Sequence, residues 1–367
     1  MDRRILLLVT DLKIGGTPTV VREVAVRLNQ LPRVRIHVAC LDGDGPVGAQ
    51  IRKYGIPVTA LNASWRGDLL VIRRLVKLIR HEEIDTTLSF LVHANAIAAV
   101  AAPFCPAVRF LQSIQTTQPQ PRWHWKVQRW ASASAELILV PSISVAQAAH
   151  DWSQVPNGKI AVIPNGVDRP PAPSPGTLGE GRGEGLSASA LRLPILHRVV
   201  FIGRLDPIKR LPDLIEAMRL LKGFARLDIY GDGPQRQLLE NQIAASSANE
   251  QIQMHGAIPS PWPALKQADV LVLCSEAEGF GLVLIEAMAA GVPVVATDVP
   301  GIRDVVRHRD TGLLVPAASP AALAAAIRCV LEDQGLRQSL IDNAKADVRR
   351  RFTWDAAIVG YRAALRI

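Results

Sequence analysis

Short, continuously apolar runs that alternate with amphipathic stretches limit what this chain can fold into more than any other feature. Over residues 1–168 the runs read RILLLVT, VRIHVACL, IPVTAL, DTTLSFL, AVRFLQSI, LILVPS and IAVIPNG. Apolar residues at consecutive positions imply strands covered on both faces. Between them lie helical periodicities, such as Val20 to Asn29, Leu69 to His81 and Trp125 to Ser134. Strand and helix in regular turn argue for βαβ units and parallel sheets.

The alternation stops at Arg169 to Pro194, where Pro, Gly and Ser dominate and no hydrophobic period survives, as expected of a linker. It resumes with HRVVFIG, ARLDIYG, IQMHGAI, DVLVLCS, VPVVATD and TGLLVP. Helices are predicted there over Leu211 to Leu221, Gln235 to Ala245, Pro263 to Gln267 and Leu282 to Ala290. Thr353 to Ile367 carries Trp354, Ile358, Tyr361 and Leu365 at helical spacing, a stripe expected to pack back on the first half. A length of 367 residues suits two domains. The expected division is 1–168, an N-terminal Rossmann-like domain; 169–195, the linker; 196–352, a C-terminal Rossmann-like domain; and 353–367, the returning helix. Two α/β domains with parallel sheets facing across a cleft place their ligands at the carboxyl ends of the strands.

Composition removes several classes. No run approaches the roughly 18 apolar residues of a spanning helix, and the Ala-rich stretch Ala96 to Ala102 ends at Pro103. The apolar part of MDRRILLLVT is shorter than a signal-peptide core and reads as a first strand. Cys40, Cys105, Cys274 and Cys329 lie far apart with no Cys-x-x-Cys spacing, so neither a zinc site nor a disulfide framework is expected. A cytoplasmic chain with reduced thiols is the expectation. Lys and Arg exceed Asp and Glu by seven over residues 1–168 and by two over the rest. Such a surface attracts phosphate, whether in nucleic acid, anionic lipid or a phosphorylated small molecule.

The chemistry concentrates in EGFGLVLIEAMAAGVPVVA, Glu278 to Ala296. An apolar strand ends at Ser275, a turn runs to Gly281, and a helix follows that Gly291 and Pro293 stop. Gly279 and Gly281 allow close backbone approach, and the free amides of the helix amino end suit a phosphate or diphosphate. Eight positions along a helix separate the carboxylates of Glu278 and Glu286 by about 12 Å at most, the scale of an extended nucleotide sugar. Each carboxylate can accept hydrogen bonds from both hydroxyls of a diol.

This stretch resembles the signature of the GT-B fold glycosyltransferase family 4, the glycosyl transferases group 1, whose pattern is Glu, seven residues, Glu. The resemblance implies that Glu278 contacts the donor sugar and Glu286 the ribose. It also implies that Gly279, Phe280, Gly281 and Leu282 line the donor. FIGRLDPIKR places Gly203, Arg204 and Lys209 directly after a strand, similar to the family's diphosphate clamp. VIPNGVD, before the linker, and YGDGPQRQLLE are family-like turns, and HGAI puts Ile258 where relatives contact the base through backbone.

In the first domain, KIGGTPTVV sets Gly15 and Gly16 between a strand and a helix, the loop that in the family borders acceptor and donor phosphate. Many relatives carry a histidine on a first-domain strand where this chain reads RFLQSIQTTQ. Two replacements are open: Ser113 and Gln115 from that segment, or His93 and Asn95 from the loop after DTTLSFL.

The resemblance implies a retaining enzyme that transfers a hexose-type sugar from a nucleotide diphosphate sugar, of UDP or GDP type, to a hydroxyl of a glycan or glycolipid acceptor. In the family's mechanism the leaving phosphate oxygen helps deprotonate the acceptor on the same face, so catalysis is positioning and charge stabilisation. No resident cofactor and no metal are expected. The alternatives are another GT-B enzyme, such as a sugar-nucleotide epimerase or a sugar-phosphate synthase, and a noncatalytic nucleotide-sugar-binding partner. The dinucleotide fingerprint fails because Arg236 stands where its third glycine is needed. No Walker A sequence occurs, and Asp42-Gly43-Asp44 reads as a plain turn.

Two stretches bear on location. Arg73, Lys77 and Arg80 share one helix face beside Ile72, Val76 and Ile79, and PRWHWKVQRW mixes tryptophans with Arg122, Lys126 and Arg129. Both suit peripheral contact with an anionic membrane surface, the inner face of the cytoplasmic membrane, and equally suit a solvated helix face with buried indoles. No nucleic-acid recognition module accompanies them.

Overall fold

The computed structural model describes residues 2–63, 68, 70–168 and 196–367. The predicted linker, 169–195, lies outside the described residues. Each apolar run of the first half forms a strand: β1 (Arg3–Val9), β2 (Val34–Cys40), β3 (Val58–Ala60), β4 (Thr86–Phe90), β5 (Arg109–Ser113), β6 (Leu137–Val140) and β7 (Ile160–Val162). They pair in parallel in the order β3-β2-β1-β4-β5-β6-β7.

The continuous apolarity has a direct cause: successive side chains serve two cores. Ile5, Leu7 and Val9 of β1 join one, Leu6 and Leu8 the other. Helices α1 (Gly16–Asn29) and α2 (Pro46–Arg52) cover the first face. The opposite face carries α3 (Leu70–His81), α4 (Val92–Ala101), α5 (Trp123–Ser132) and α6 (Ile143–Ser153).

The second half repeats the plan. Strands β8 (His197–Ile202), β9 (Ala225–Tyr230), β10 (Ile252–Gly256), β11 (Val270–Leu273), β12 (Val294–Thr297) and β13 (Leu313–Val315) form a parallel sheet in the order β10-β9-β8-β11-β12-β13. Around it lie α7 (Leu211–Leu220), α8 (Arg236–Ala245), α9 (Trp262–Leu265), α10 (Leu282–Ala290), α11 (Pro300–Arg303), α12 (Pro320–Glu332) and α13 (Gln334–Arg351). In each sheet the first strand is flanked by its second and a later one, so neighbouring loops diverge at its carboxyl end and open a crevice.

The last helix, α14 (Trp354–Leu365), returns to the first domain, where Trp354, Tyr361 and Leu365 are buried with Ile5 and Leu28. Its last carbonyls, of Ala364 and Leu365, accept from the Arg109 guanidinium at 3.2 and 3.0 Å. Outgoing and returning chain touch: Val167 bridges to Thr353, and its amide donates to the Phe352 carbonyl at 3.0 Å. A Cβ at Gly166 would stand 2.3 Å from the Trp354 nitrogen, so the crossing requires glycine there. Arg27 binds both sides, pairing with Asp168 and lying 5.1 Å over the Trp354 ring.

One expectation changes, and two open readings are resolved. The segment after DTTLSFL is no loop: α4 starts at Val92, so His93 and Asn95 lie in its first turn, continuous with the Ala-rich stretch. On α3 the inward face is Val71, Leu75 and Ile79, leaving Ile72 and Val76 half-buried. Of the tryptophans in PRWHWKVQRW only Trp125 is buried, its indole N–H donating to the Gln118 carbonyl at 2.9 Å. Among the described residues no helix is long and apolar enough to cross a membrane.

Candidate active site

The segment between β11 and α10 runs from buried Cys274 and Ser275 to Gly281. Gly281 has φ +77°, a left-handed conformation that lets the chain enter α10 abruptly. No side chain caps α10, so its first amides carry partial positive charge towards whatever lies in front. Glu278 sits in this turn with its side chain 16 % exposed, and its Oε2 pairs with Nζ of Lys209. The Phe280 ring is buried edge-on against Phe352 at 5.5 Å and anchors the turn to the core, which leaves its backbone as the part in the turn.

Lys209 reaches Glu278 because the loop after β8 is bonded along the turn. Cys274 donates from Sγ to the Lys209 carbonyl at 3.0 Å, and the Glu276 amide donates to the Ile208 carbonyl at 2.8 Å. Burial pushes the Cys274 thiol up to about 12, so it packs and does not react. Arg204 belongs to the same loop, but its guanidinium is exposed and bonds Asp206 at 3.2 Å. Of the two cations expected as a clamp, Lys209 is thus engaged by Glu278 and Arg204 by Asp206.

Behind them the loops after β8, β9 and β10 interlock through glycine. The Gly203 amide donates to the Tyr230 carbonyl at 3.0 Å, and that of Gly231 to the Gly256 carbonyl at 2.7 Å. A Cβ at Gly231 would stand 1.9 Å from the Gly203 carbonyl oxygen. Ile258 follows, half-buried against the second core. His255 stacks on Tyr230 at 4.5 Å and bonds Asp228 at 2.7 Å.

The first domain meets this turn directly. A Cβ at Gly16 would lie 3.8 Å from Leu282 Cδ1, and Leu282 packs against the cores of both domains. Gly15 and Gly16 start α1, also without a side-chain cap, so two helix amino ends converge where the domains join. Gln115 approaches by its backbone: a Cβ on Gly279 would stand 2.1 Å from the Gln115 carbonyl oxygen. Its side chain donates to Ser113 Oγ at 2.6 Å.

Asn95 and Ser113 are corrections. Both are wholly buried. Asn95 accepts from Ser89 Oγ at 2.7 Å and donates to the Ser113 carbonyl at 3.1 Å and to Gln128 Oε1 at 2.8 Å. Ser113 Oγ donates to the Leu139 carbonyl at 3.0 Å. Their polar atoms are consumed in a network beneath the cleft, as buried amides and hydroxyls require. His93 lies above it, its ring 5.9 Å from both Trp123 and His124.

Glu286 lies half-buried on α10, beyond Glu278, within the electrostatic reach of Arg22 and Glu23 of α1. Burial lifts its carboxyl to about 7; the Arg22 guanidinium opposes the shift and the Glu23 carboxylate adds to it. Arg22 is itself held by Glu23, which also binds Arg27, and by Gln50. Sequence reasoning missed Arg22, Glu23, Thr117 and Ser142. Of these, only Ser142 had a signal, as a serine directly before a helix whose amide at Val145 it caps.

Two family models match the chain one after the other, Glycosyltransferase Family 4 over residues 14–169 and Glycosyl transferases group 1 over residues 197–347. The chain belongs to the group 1 glycosyltransferases. As a member of that family, it is 34% identical to a phosphatidyl-myo-inositol mannosyltransferase of Mycobacterium leprae, over 59% of this chain and 56% of that one. It is 35% identical to a D-inositol 3-phosphate glycosyltransferase of Jonesia denitrificans, over 43% of this chain and 40% of that one. The match thus spans about half the length of these curated relatives, or less. The fold is that of Anabaena HepE in complex with UDP and glucose, with a TM-score of 0.85 at 22% identity over 99% of both chains. This group 1 member has the GT-B architecture, two parallel-sheet domains of seven and six strands.

Proposed function

We propose that this protein is a retaining glycosyltransferase that moves a hexose-type sugar from a nucleotide diphosphate sugar, of UDP or GDP type, to a hydroxyl of a glycolipid or surface polysaccharide precursor. The observation that carries the reading is the Lys209–Glu278 pair, standing where the amino ends of α1 and α10 converge. Fixed partial positive charges and a cation suit a diphosphate leaving group, and a carboxylate beside them suits sugar hydroxyls. In this reading Arg204 swings onto the diphosphate, Lys209 neutralises charge as the glycosidic bond breaks, Glu278 orients the hexose and Glu286 holds the ribose. The acceptor approaches from the first-domain side, past Gly15, Gly16, His93 and Gln115. No protein nucleophile, resident cofactor or metal enters the reading.

The experiment is release of nucleotide diphosphate from a panel of UDP, GDP and ADP sugars, with and without acceptors that include inositol phosphate and phosphatidylinositol. Glu286→Ala is expected to weaken donor binding and Arg204→Ala to reduce turnover more severely. Unchanged kinetics for both would overturn the assignment, and donor binding without turnover on any acceptor would point to a noncatalytic partner.

A peripheral site of action at an anionic membrane is part of the proposal. A groove of about 570 Å³ beside α3 is lined by apolar Ile72, Val76 and Phe104 together with basic Arg73, Lys77 and Arg80. Leu70, Trp123 and Trp130 are exposed on helices of the same layer. Sedimentation with phosphatidylglycerol vesicles at low salt, reversed at high salt, is the expected behaviour; absence of binding at low salt would assign a soluble acceptor.

A further inference from the structure

The peptide that follows Glu278 is held from the other domain. Thr117 Oγ1 donates to the Glu278 carbonyl at 2.7 Å, and Ser142 Oγ donates to the Gly279 carbonyl at 2.9 Å. Thr117 lies on the loop after β5 and Ser142 on the loop after β6, 6 % and 3 % exposed. A turn outside helix and sheet must find partners for its buried carbonyls, and this turn finds them across the domain boundary. Ser142 has one proton to give. Since its oxygen already accepts from the Val145 amide at 3.2 Å, that proton is directed to Gly279.

Packing tightens the same spot from both sides. Gly279 leaves no room for a Cβ against the Gln115 backbone, and a Cβ on Gly301 of α11 would stand 1.9 Å from the Glu278 carbonyl oxygen. The Ser144 amide donates to Asp304 Oδ2, at the end of α11, at 2.8 Å. The turn is thus clasped between first-domain loops and a second-domain helix, and the orientation of its peptides sets where the Glu278 carboxylate points.

We infer that Thr117 and Ser142 are positioning residues whose hydroxyls aim Glu278 at Lys209 only while the domains are docked, so that docking and assembly of the donor site are one event. The inference rests on the glycosyl-transfer reading of that site. It separates two roles for the loop after β5: its backbone bounds the cleft, and one of its hydroxyls sets the geometry of an acid in the opposite domain.

Thr117→Val keeps the shape and removes the donor; Thr117→Ser keeps the donor. Three readouts apply to the full chain: hydrogen exchange of the amides of residues 277–282, binding of UDP and GDP, and kcat and KM for whichever donor the wild type turns over. Loss of one hydrogen bond is expected to raise exchange in the turn about fivefold, with the interior of α10 unaffected. Turnover should fall about tenfold or more as a misaimed acid loses its effect on the transition state, nucleotide affinity should stay within about threefold, and Thr117→Ser should restore all values. The Thr117→Val/Ser142→Ala double variant should amplify each change. Unchanged exchange and turnover would overturn the inference, as would parallel loss of kcat and nucleotide binding that Thr117→Ser does not rescue, the signature of general packing. A wild type that binds neither nucleotide and consumes no donor would refute glycosyl transfer, while the exchange measurement would still decide whether the hydroxyls hold the turn.

Discussion

Glu286 is an acid in a poor solvent. Its carboxyl titrates near 7 because burial disfavours the charge, against about 4.3 in an unfolded chain. The folded state therefore holds the proton more tightly, and stability falls as pH rises from about 4.3 to about 7 and then levels. Glu286→Gln cannot ionise, so it is expected to flatten that slope and to exceed the wild type above pH 7 by about 1–3 kcal/mol. Urea unfolding at pH 5, 6, 7 and 8 measures it, and parallel curves for the two proteins would contradict the shift. Lys209 poses the reverse case. Lys209→Ala strands the Glu278 carboxylate and is expected to cost about 1–3 kcal/mol and to lower turnover about 10²-fold or more. Adding Glu278→Ala should recover stability but not turnover, a coupling that a double-mutant cycle reads directly.

At the scale of elements, the turn before α10 tolerates no added atom. Gly279→Ala would drive a Cβ to 2.1 Å from the Gln115 carbonyl oxygen, so the domains must separate or the turn must move. A destabilisation of about 1–3 kcal/mol and loss of donor turnover are expected, whereas Gly43→Ala, in open space, should leave stability unchanged by thermal melting. This turn was legible in the sequence because strand, glycines and helix succeed one another locally. So were the strands, whose unbroken apolarity states that both faces are covered. Helix α13 was not: Gln334–Arg351 is mostly polar, with Leu340, Ala344 and Val348 its buried contacts, too thin a stripe to stand out. Asn95 and Ser113 looked like site residues because a polar side chain at or after the end of a strand reads as ligand-facing, and only the packing of α5 beside Asn95 and of β6 beside Ser113 engages them inward. Thr117 carried no signal, since its partner lies 161 residues away.

Among the described residues, the outgoing chain at Val167 and the returning chain at Thr353 meet at one point that Arg27 braces. Trp354, Tyr361 and Leu365 supply part of the first-domain core from beyond the second domain. Burial of each contributes about 1.5–3 kcal/mol, a sum comparable to the total stability of a typical domain, about 5–15 kcal/mol. Deleting residues 354–367 is therefore expected to unfold the first domain selectively. Limited proteolysis should then leave a resistant fragment containing residues 197–347 and degrade residues 2–163; equal resistance of both halves would show that α14 is dispensable.

That placement of α14 has a consequence for synthesis. A ribosome making this chain completes all the strands of the first sheet long before it reaches Trp354, so an oily furrow beside β1 stays open to solvent while the second domain is translated. The half of the protein that emerges earliest is the half that finishes last.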